Sequence, residues 1–240
     1  MMAERFCETK SLFIHQLFTT IASRYDWFNR LASFSLDARW RRWAVAESGV
    51  RQGMDILDVC TGTGDVALLC AQHTDGAGLV IGLDFNEAML KQAGQKQQAR
   101  RLLVRWLQGN AQALPFRSSS FDRVFIGFST RNLSDLKQGL CEMVRVLKPN
   151  GQLVVLETGR PANPVVRAGY FLFLFTIARL IGGLLTGRLW PFTYLARSVR
   201  GFVSPSEFVS FLKTCGTDAC HIPLSFGLAS LYIAHKRVVG

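Results

Sequence analysis

The residues of this chain whose types and spacing could do chemistry begin with Asp58, Gly62, Thr63, Gly64 and Asp84. The stretch Cys60-Thr61-Gly62-Thr63-Gly64-Asp65-Val66-Ala67 has the form GxGxxA. Glycines at such positions let a chain turn sharply from a strand into a helix and let a ligand touch the backbone. The pattern alone serves many nucleotides, but its carboxylates are more selective. Asp58 lies four residues before Gly62, inside an apolar run, and Asp65 directly follows Gly64. They would repel a pyrophosphate and attract an amine or a sulfonium. Asp84 stands 20 residues after Gly64, at the end of a second apolar run, where a carboxylate can accept both hydroxyls of a ribose.

These carboxylates favour S-adenosylmethionine over a nicotinamide or flavin dinucleotide. The bland alternative makes Asp58 and Asp84 solvated loop carboxylates. A third piece agrees with the sharper reading. Gly109-Asn110-Ala111-Gln112-Ala113-Leu114-Pro115-Phe116 follows a third apolar run, in the place where such folds flank an adenine. Asn110 and the Ala111 backbone can there offer hydrogen bonds to its edge.

Positioning these groups requires strands that end at one edge. Residues 54–60 form a short apolar run that reads as a buried parallel strand. A helix over 65–73, a strand over 78–84, a polar helix over 86–101 and strands over 102–109 and 122–128 follow. A helix over 135–147 is stopped by Lys148-Pro149-Asn150-Gly151, and 152–158 is a fifth strand. Regularity is interrupted over 159–201. It returns at Ser204-Pro205-Ser206-Glu207, a helix start with proline in its first turn, and that helix runs to about Thr214. Two strands near 218–224 and 228–236 close the chain. Residues 5–48 are helical in pattern, with a break at 33–35. The order predicts an α/β, doubly wound, Rossmann-like fold whose seven-stranded sheet is mostly parallel, with a C-terminal antiparallel strand. One domain is expected over 1–240, with 1–50 as a helical substrate cap and 160–200 as an aromatic, basic lid.

The net charge of +11 favours an anionic partner. Between Arg160 and Arg200 stand six arginines and no acidic residue. No nucleic-acid module is recognisable, so the anion of choice is a membrane surface. The apolar stretch at 170–189 is long enough to span a bilayer in principle. Arg179 at its centre would cost roughly 2.5–3.5 kcal/mol to insert, so an interfacial or pocket-covering helix fits better. Packing of the same aromatics into the core is the plainer reading. The six cysteines, 7, 60, 70, 141, 215 and 220, show no CxxC and are expected to be reduced thiols of a cytoplasmic protein. The charged N-terminus shows no secretory signal. No metal is expected, and the sequence allows a homodimer.

Several stretches carry a family resemblance: Tyr25-Asp26 with Asn29, LDVCTGTGDVAL, GLDFNEAML, GNAQALPF, FDRVFIGFSTRNLSD, EMVRVLKPNGQLVVLE and GLASLYIAHK. Their order over roughly residues 20–236 resembles the ubiquinone/menaquinone biosynthesis C-methyltransferases, and Phe128-Ser129-Thr130-Arg131-Asn132-Leu133-Ser134-Asp135 is the most specific piece. The resemblance implies the class I methyltransferase fold, S-adenosylmethionine as cofactor, and methylation of a ring carbon on a polyprenylated quinol. It implies Thr63, Asp84, Asn110 and Ala111 as cofactor residues. The chain departs from the family pattern at Cys60-Thr61-Gly62-Thr63-Gly64, at Gly127, at Ser129-Thr130 and at Glu157-Thr158-Gly159-Arg160-Pro161, all at the active-site mouth. Both the naphthoquinol (demethylmenaquinol to menaquinol, the favoured reading) and the benzoquinol of the ubiquinone pathway stay open. So does another lipid or small-molecule methyltransferase. Arg131 is expected to orient or deprotonate the quinol hydroxyl through water, with Asn132 and Tyr25 holding that water or hydroxyl. The structural alternative pairs Arg131 with Asp135 or Asp26. The lid would accept the isoprenoid tail and place its arginines against anionic headgroups, leaving the enzyme peripherally attached to a membrane.

Overall fold

The alternation of apolar and helical segments resolves into one seven-stranded sheet of order β3-β2-β1-β4-β5-β7-β6. The computed structural model describes residues 2–237, with side chains from residue 9 onward. The strands are β1 Ile56–Val59, β2 Val80–Asp84, β3 Arg105–Gln108, β4 Phe121–Gly127, β5 Leu147–Thr158, β6 Thr217–Leu224 and β7 Ala229–Lys236. β1 through β5 pair in parallel, and β7 runs antiparallel to both β5 and β6. Because side chains alternate across a strand, β1 sends Ile56 into one apolar layer and Leu57 and Val59 into the other. Phe125 and Val154 join the first layer, Val124 and Ile126 the second.

Helices α4 Asp65–Thr74, α5 Glu87–Arg100, α6 Leu136–Val146 and α10 Pro205–Thr214 occupy the expected connections. Ser204 caps α10 through a reciprocal bond pattern with Glu207, and Pro205 takes the first turn, so the start read from the sequence holds for its stated reason. Lys148-Pro149-Asn150-Gly151 behaves differently from the expected stop. β5 already begins at Leu147, which pairs with Phe121, and the four residues bulge outward before the ladder resumes at Gln152. Pro149 lacks a ladder donor and Asn150 has a positive φ of 61°, which together force the bulge.

The N-terminal helices are α1 Met2–Ile21, α2 Tyr25–Ala32 and α3 Leu36–Glu47. The break at 33–35 is present, with Phe34 and Ser35 both left-handed. The segment that interrupts the sheet pattern is helical: α7 Pro164–Phe173, a π-helical turn Leu174–Ala178, α8 Arg179–Thr186 and α9 Trp190–Arg200. Pro164–Thr186 is long and apolar enough to cross a membrane by length and composition. Instead its Leu174, Ala178 and Gly182 are buried, with Leu174 and Ala178 packed against Ala196 and Val199 of α9. Leu172, Ile177, Leu180 and Leu184 of the same run face outward, Leu184 at 88% exposure.

The cysteines require a correction. Cys141 and Cys215 form a disulfide rather than remaining thiols. Cys60, Cys70 and Cys220 are free as expected, and the side chain of Cys7 lies outside those described. The pair is far apart in sequence, 74 residues. Packing of α10 against α6 brings the two Cα atoms to 4.9 Å, within bonding reach. A bridge closing so long a loop contributes about 2–4 kcal/mol. Reduction is therefore expected to lower Tm by about 5–10 °C for a chain of this size, and Cys141→Ser should abolish the difference between reduced and unreduced melts. Peptide mapping without reductant that recovers the two cysteines unlinked overturns the assignment.

Candidate active site

β1 ends where the backbone can no longer stay extended. Cys60 has a φ of 52°, Gly62 of 57° and Gly64 of 82°, and Gly64 opens α4. This sharp return places Asp58 in the interior beneath the loop. Its Oδ2 accepts from Thr61 Oγ1 at 2.5 Å and from the Ala67 N–H at 3.1 Å. Burial nevertheless raises the Asp58 carboxyl to about 7, only partly opposed by those two donors and by Arg41. A Cβ built on Gly62 meets no atom within 4 Å, so the loop faces open space, and Asp58, Gly62, Thr63 and Asp65 line one cavity of about 210 Å³.

Asp84 ends β2 and lines the same cavity, directly against the loop. It is held by the backbone N–H groups of Gly62 at 2.8 Å and Asn86 at 2.9 Å. Burial raises its carboxyl in spite of these donors. Gly109, Asn110, Ala111 and Gln112 line the same cavity. Asn110 Oδ1 accepts from the Gln112 N–H at 2.9 Å, which leaves the amide nitrogen as its free donor. Thr63 reaches the cavity, but its hydroxyl donates to Asp26 at 2.6 Å and accepts from Lys96 at 2.9 Å. Lys96 also pairs with Asp26 at 2.7 Å and with Asp65 at 2.6 Å. One cation thus joins α2, α5 and the start of α4. Burial pushes Asp65 up, but Lys96 and Arg41 outweigh it and hold the carboxyl below its ordinary value.

A second cavity, about 380 Å³, adjoins the first, and the two share Phe18, Tyr25, Arg41 and Asn132 as lining residues. It is walled by aromatic and aliphatic side chains of α1, α2, α7 and α9, among them Phe28, Tyr170, Phe173 and Phe192. Phe34, 77% exposed, and Val166 line it at the surface. Arg131 enters from the short 3₁₀ turn Thr130–Asn132 after β4. Its Nη1 bonds the Phe128 carbonyl at 2.8 Å and forms an ion pair with Glu157. Glu157, fully buried near the end of β5, also accepts from Thr130 Oγ1 at 2.6 Å and the Thr158 N–H at 2.8 Å. Arg131 Nε and Asn132 Nδ2 are buried without a hydrogen-bond partner, and Tyr194 donates to Asn132 Oδ1 at 3.1 Å. Burial raises the Tyr25 phenol, although Arg41, Asn29 and Arg131 oppose the rise.

Every residue singled out from the sequence except Gly64 lines one of these two cavities. Asp58, Gly62, Thr63, Asp84, Asn110 and Ala111 line the smaller, Arg131 the larger, and Tyr25 and Asn132 both. Gly64 lies outside the lining and sets the turn: a Cβ there would stand 2.6 Å from Trp106. The alternative partners for Arg131 are corrected. Asp135 caps α6 by accepting from the Gln138 N–H, and Asp26 pairs with Lys96. Lys96 and Arg41 were not legible as site residues, and the resemblance that sets Glu157 at the active-site mouth does not reveal its pairing with Arg131.

A parallel sheet with this strand order and a reversed β7 is the fold of class I S-adenosylmethionine-dependent methyltransferases. The chain superposes on the crystal structure of a SAM-dependent methyltransferase from Aquifex aeolicus with a TM-score of 0.61. Sequence identity is 20%, over 82% of this chain and 89% of that one. An arsenic(III) S-adenosylmethionine methyltransferase from Chlamydomonas reinhardtii gives a TM-score of 0.54 at 21% identity, over 80% and 66%. The sequence profile of the ubiE/COQ5 methyltransferase family matches residues 5–236, and the chain belongs to that family. A demethylmenaquinone methyltransferase of Thermus thermophilus is 39% identical over 220 residues, 92% of this chain and all of that one. A ubiquinone/menaquinone biosynthesis C-methyltransferase, UbiE, of Geotalea uraniireducens is 38% identical over 226 residues, 93% and 96% of the two chains. The protein is a methyltransferase that uses S-adenosylmethionine, and two buried carboxyls raised by burial suit a nucleoside that brings positive charge.

Asp58 supplies a test with a definite sign. Its raised pKa means that the ligand-free fold holds a proton which the unfolded chain has released. Its contribution to stability is therefore present at low pH and lost as pH rises from about 4 to about 7. A cation favours the ionised form, so S-adenosylmethionine affinity measured by calorimetry is expected to tighten through about pH 7 and then level. Asp58→Asn should bind about tenfold or more weakly, with that pH dependence gone, and melt at a higher temperature than the parent at alkaline pH. An unchanged pH profile of binding in the variant rules out this role.

Proposed function

We propose that this chain methylates a ring carbon of a polyprenylated quinol, converting demethylmenaquinol to menaquinol. The observation that carries the reading is the pair of cavities that share a wall: a small one ringed by carboxylates, and a larger one lined by aromatic and aliphatic groups. The first suits a cationic nucleoside and the second an apolar ring with the start of an isoprenoid tail. The relatives named as demethylmenaquinone methyltransferases, at 35–39% identity over most of the chain, support the naphthoquinol.

In this reading Asp58, Gly62 and Thr63 hold the amino-acid end of the cofactor, with Gly64 setting the turn that presents them, Asp84 its ribose, and Asn110 and Ala111 its adenine. S-adenosylmethionine brings a methyl group on a positively charged sulfur. The chain's own task is to align the acceptor, exclude water and favour an ionised quinol oxygen, because ionisation of the hydroxyl activates the ring carbon beside it. Arg131, held on one side by Glu157, stays charged and can only donate hydrogen bonds. Its Nε and the Asn132 amide nitrogen are the donors left for the quinol oxygen; the hydroxyl proton leaves to water, and the proton displaced from the methylated ring carbon returns to that oxygen as aromaticity is restored. Tyr25, kept neutral by its raised pKa, positions the same oxygen from α2. The tail leaves past Phe34 and Val166. There the outward leucines of α7 and α8, with Arg167, Arg179 and Arg188, meet an anionic bilayer.

Purified enzyme with labelled cofactor should methylate a demethylated naphthoquinol in preference to a demethylated benzoquinol; the reverse preference moves the reading to the ubiquinone-type acceptor. Arg131→Ala is expected to lower kcat by about 10²-fold or more, with S-adenosylhomocysteine affinity within about twofold of the parent, and Glu157→Gln should fall between. Loss of cofactor binding in Arg131→Ala would sink the assignment. In flotation, the protein should rise with vesicles containing anionic lipid and be released by salt. Failure to float at low ionic strength removes the membrane contact.

A further inference from the structure

Arg41 belongs to α3, the last N-terminal helix before β1, and its side chain lines both cavities and is almost wholly buried. Among the described residues lining the carboxylate-ringed cavity it is the single Lys or Arg. Its Nη1 is paired with Asp37, and among the described residues the guanidinium makes no other hydrogen bond. Its Cζ sits 5.1 Å from the centroid of the Phe128 ring. Burial disfavours its charge, but Asp65 and Asp37 outweigh that and raise the guanidinium above its ordinary value. A buried guanidinium with one nitrogen fixed retains a fork for a second anion.

The ligand chemistry that fits is the carboxylate of an α-amino acid. That end of S-adenosylmethionine carries one positive and one negative group. Asp58 and Asp65 can receive the first, but a carboxylate set among Asp58, Asp65 and Asp84 needs a cation of its own. We propose that Arg41 binds the α-carboxylate of the cofactor, so that the cavity recognises an amino-acid nucleoside rather than a bare adenosine thioether. The proposal rests on the reading of this cavity as the cofactor site. It assigns Arg41 a binding role distinct from that of Arg131, whose charge is matched by Glu157 on the acceptor side.

The test compares ligands that differ at that end. S-adenosylhomocysteine, decarboxylated S-adenosylmethionine and 5′-methylthioadenosine are titrated calorimetrically into the parent, Arg41→Met and Arg41→Lys. Loss of a charge-assisted bond of this kind corresponds to about a 10- to 100-fold change. Arg41→Met is expected to weaken S-adenosylhomocysteine by that factor while leaving the other two within about twofold. Arg41→Lys should restore part of the loss. Removing Arg41 leaves Asp37 buried without its partner, so the double variant Asp37→Asn/Arg41→Met carries the same comparison, and its binding of 5′-methylthioadenosine reports an intact fold. Equal weakening of all three ligands, or unchanged S-adenosylhomocysteine affinity with a raised quinol KM, overturns the proposal. A parent protein that binds none of the three overturns the reading of the cavity itself.

Discussion

Buried carboxylates at the ends of parallel strands are expensive unless each is matched, and in this protein β1, β2 and β5 each place one there: Asp58, Asp84 and Glu157. Their partners differ, and the differences organise the site. Asp84 is met by backbone N–H groups of the loop and of the α5 start. Glu157 is met by a guanidinium and two threonines. Asp58 has a hydroxyl and one N–H, too little to keep it ionised at its ordinary pKa. Full matching at Glu157 and partial matching at Asp58 separate a fixed framework from a place that can take up positive charge.

The arrangement also explains why the helical segments outside the sheet are indispensable. The strand ends supply carboxylates and a turn, but no enclosure. α1 and α2 supply Phe18 and Tyr25 to both cavities, and α7 and α9 close the apolar one. Asn86 ties α1 to the sheet by bonding the His15 carbonyl at 3.0 Å and Thr19 at 2.8 Å. Water exclusion is thus a property of the additions, while charge placement is a property of the fold.

What could be read from the sequence follows the same division. The glycine loop, Asp58, Asp84 and the strand periodicities are local signals, because a turn or a two-residue alternation is dictated by neighbours in the chain. The partner of Arg131 was not local: Glu157 lies 26 residues away and meets it only because β4 and β5 are adjacent. Cys141 and Cys215 were hidden likewise, since nothing in either helix announces that α6 and α10 pack together. Arg41 sits in a basic aromatic stretch whose plainer reading is an amphipathic helix packing its tryptophans on the domain. The bulge at 148–151 looked like a loop because its proline and asparagine punctuate strands and loops alike.

Lys96 carries a further implication. It is shared by Asp26 of the cap, Asp65 of the cofactor loop and the Thr63 hydroxyl. Swinging the cap away would strip Asp26 from its counter-charge and leave the Thr63 hydroxyl to find another acceptor. Whatever steadies the loop through these contacts therefore steadies α2 by an equal free energy, and the converse holds by thermodynamic reciprocity. The stability of the turn after β1 and that of α2 are in this way linked through one ammonium group.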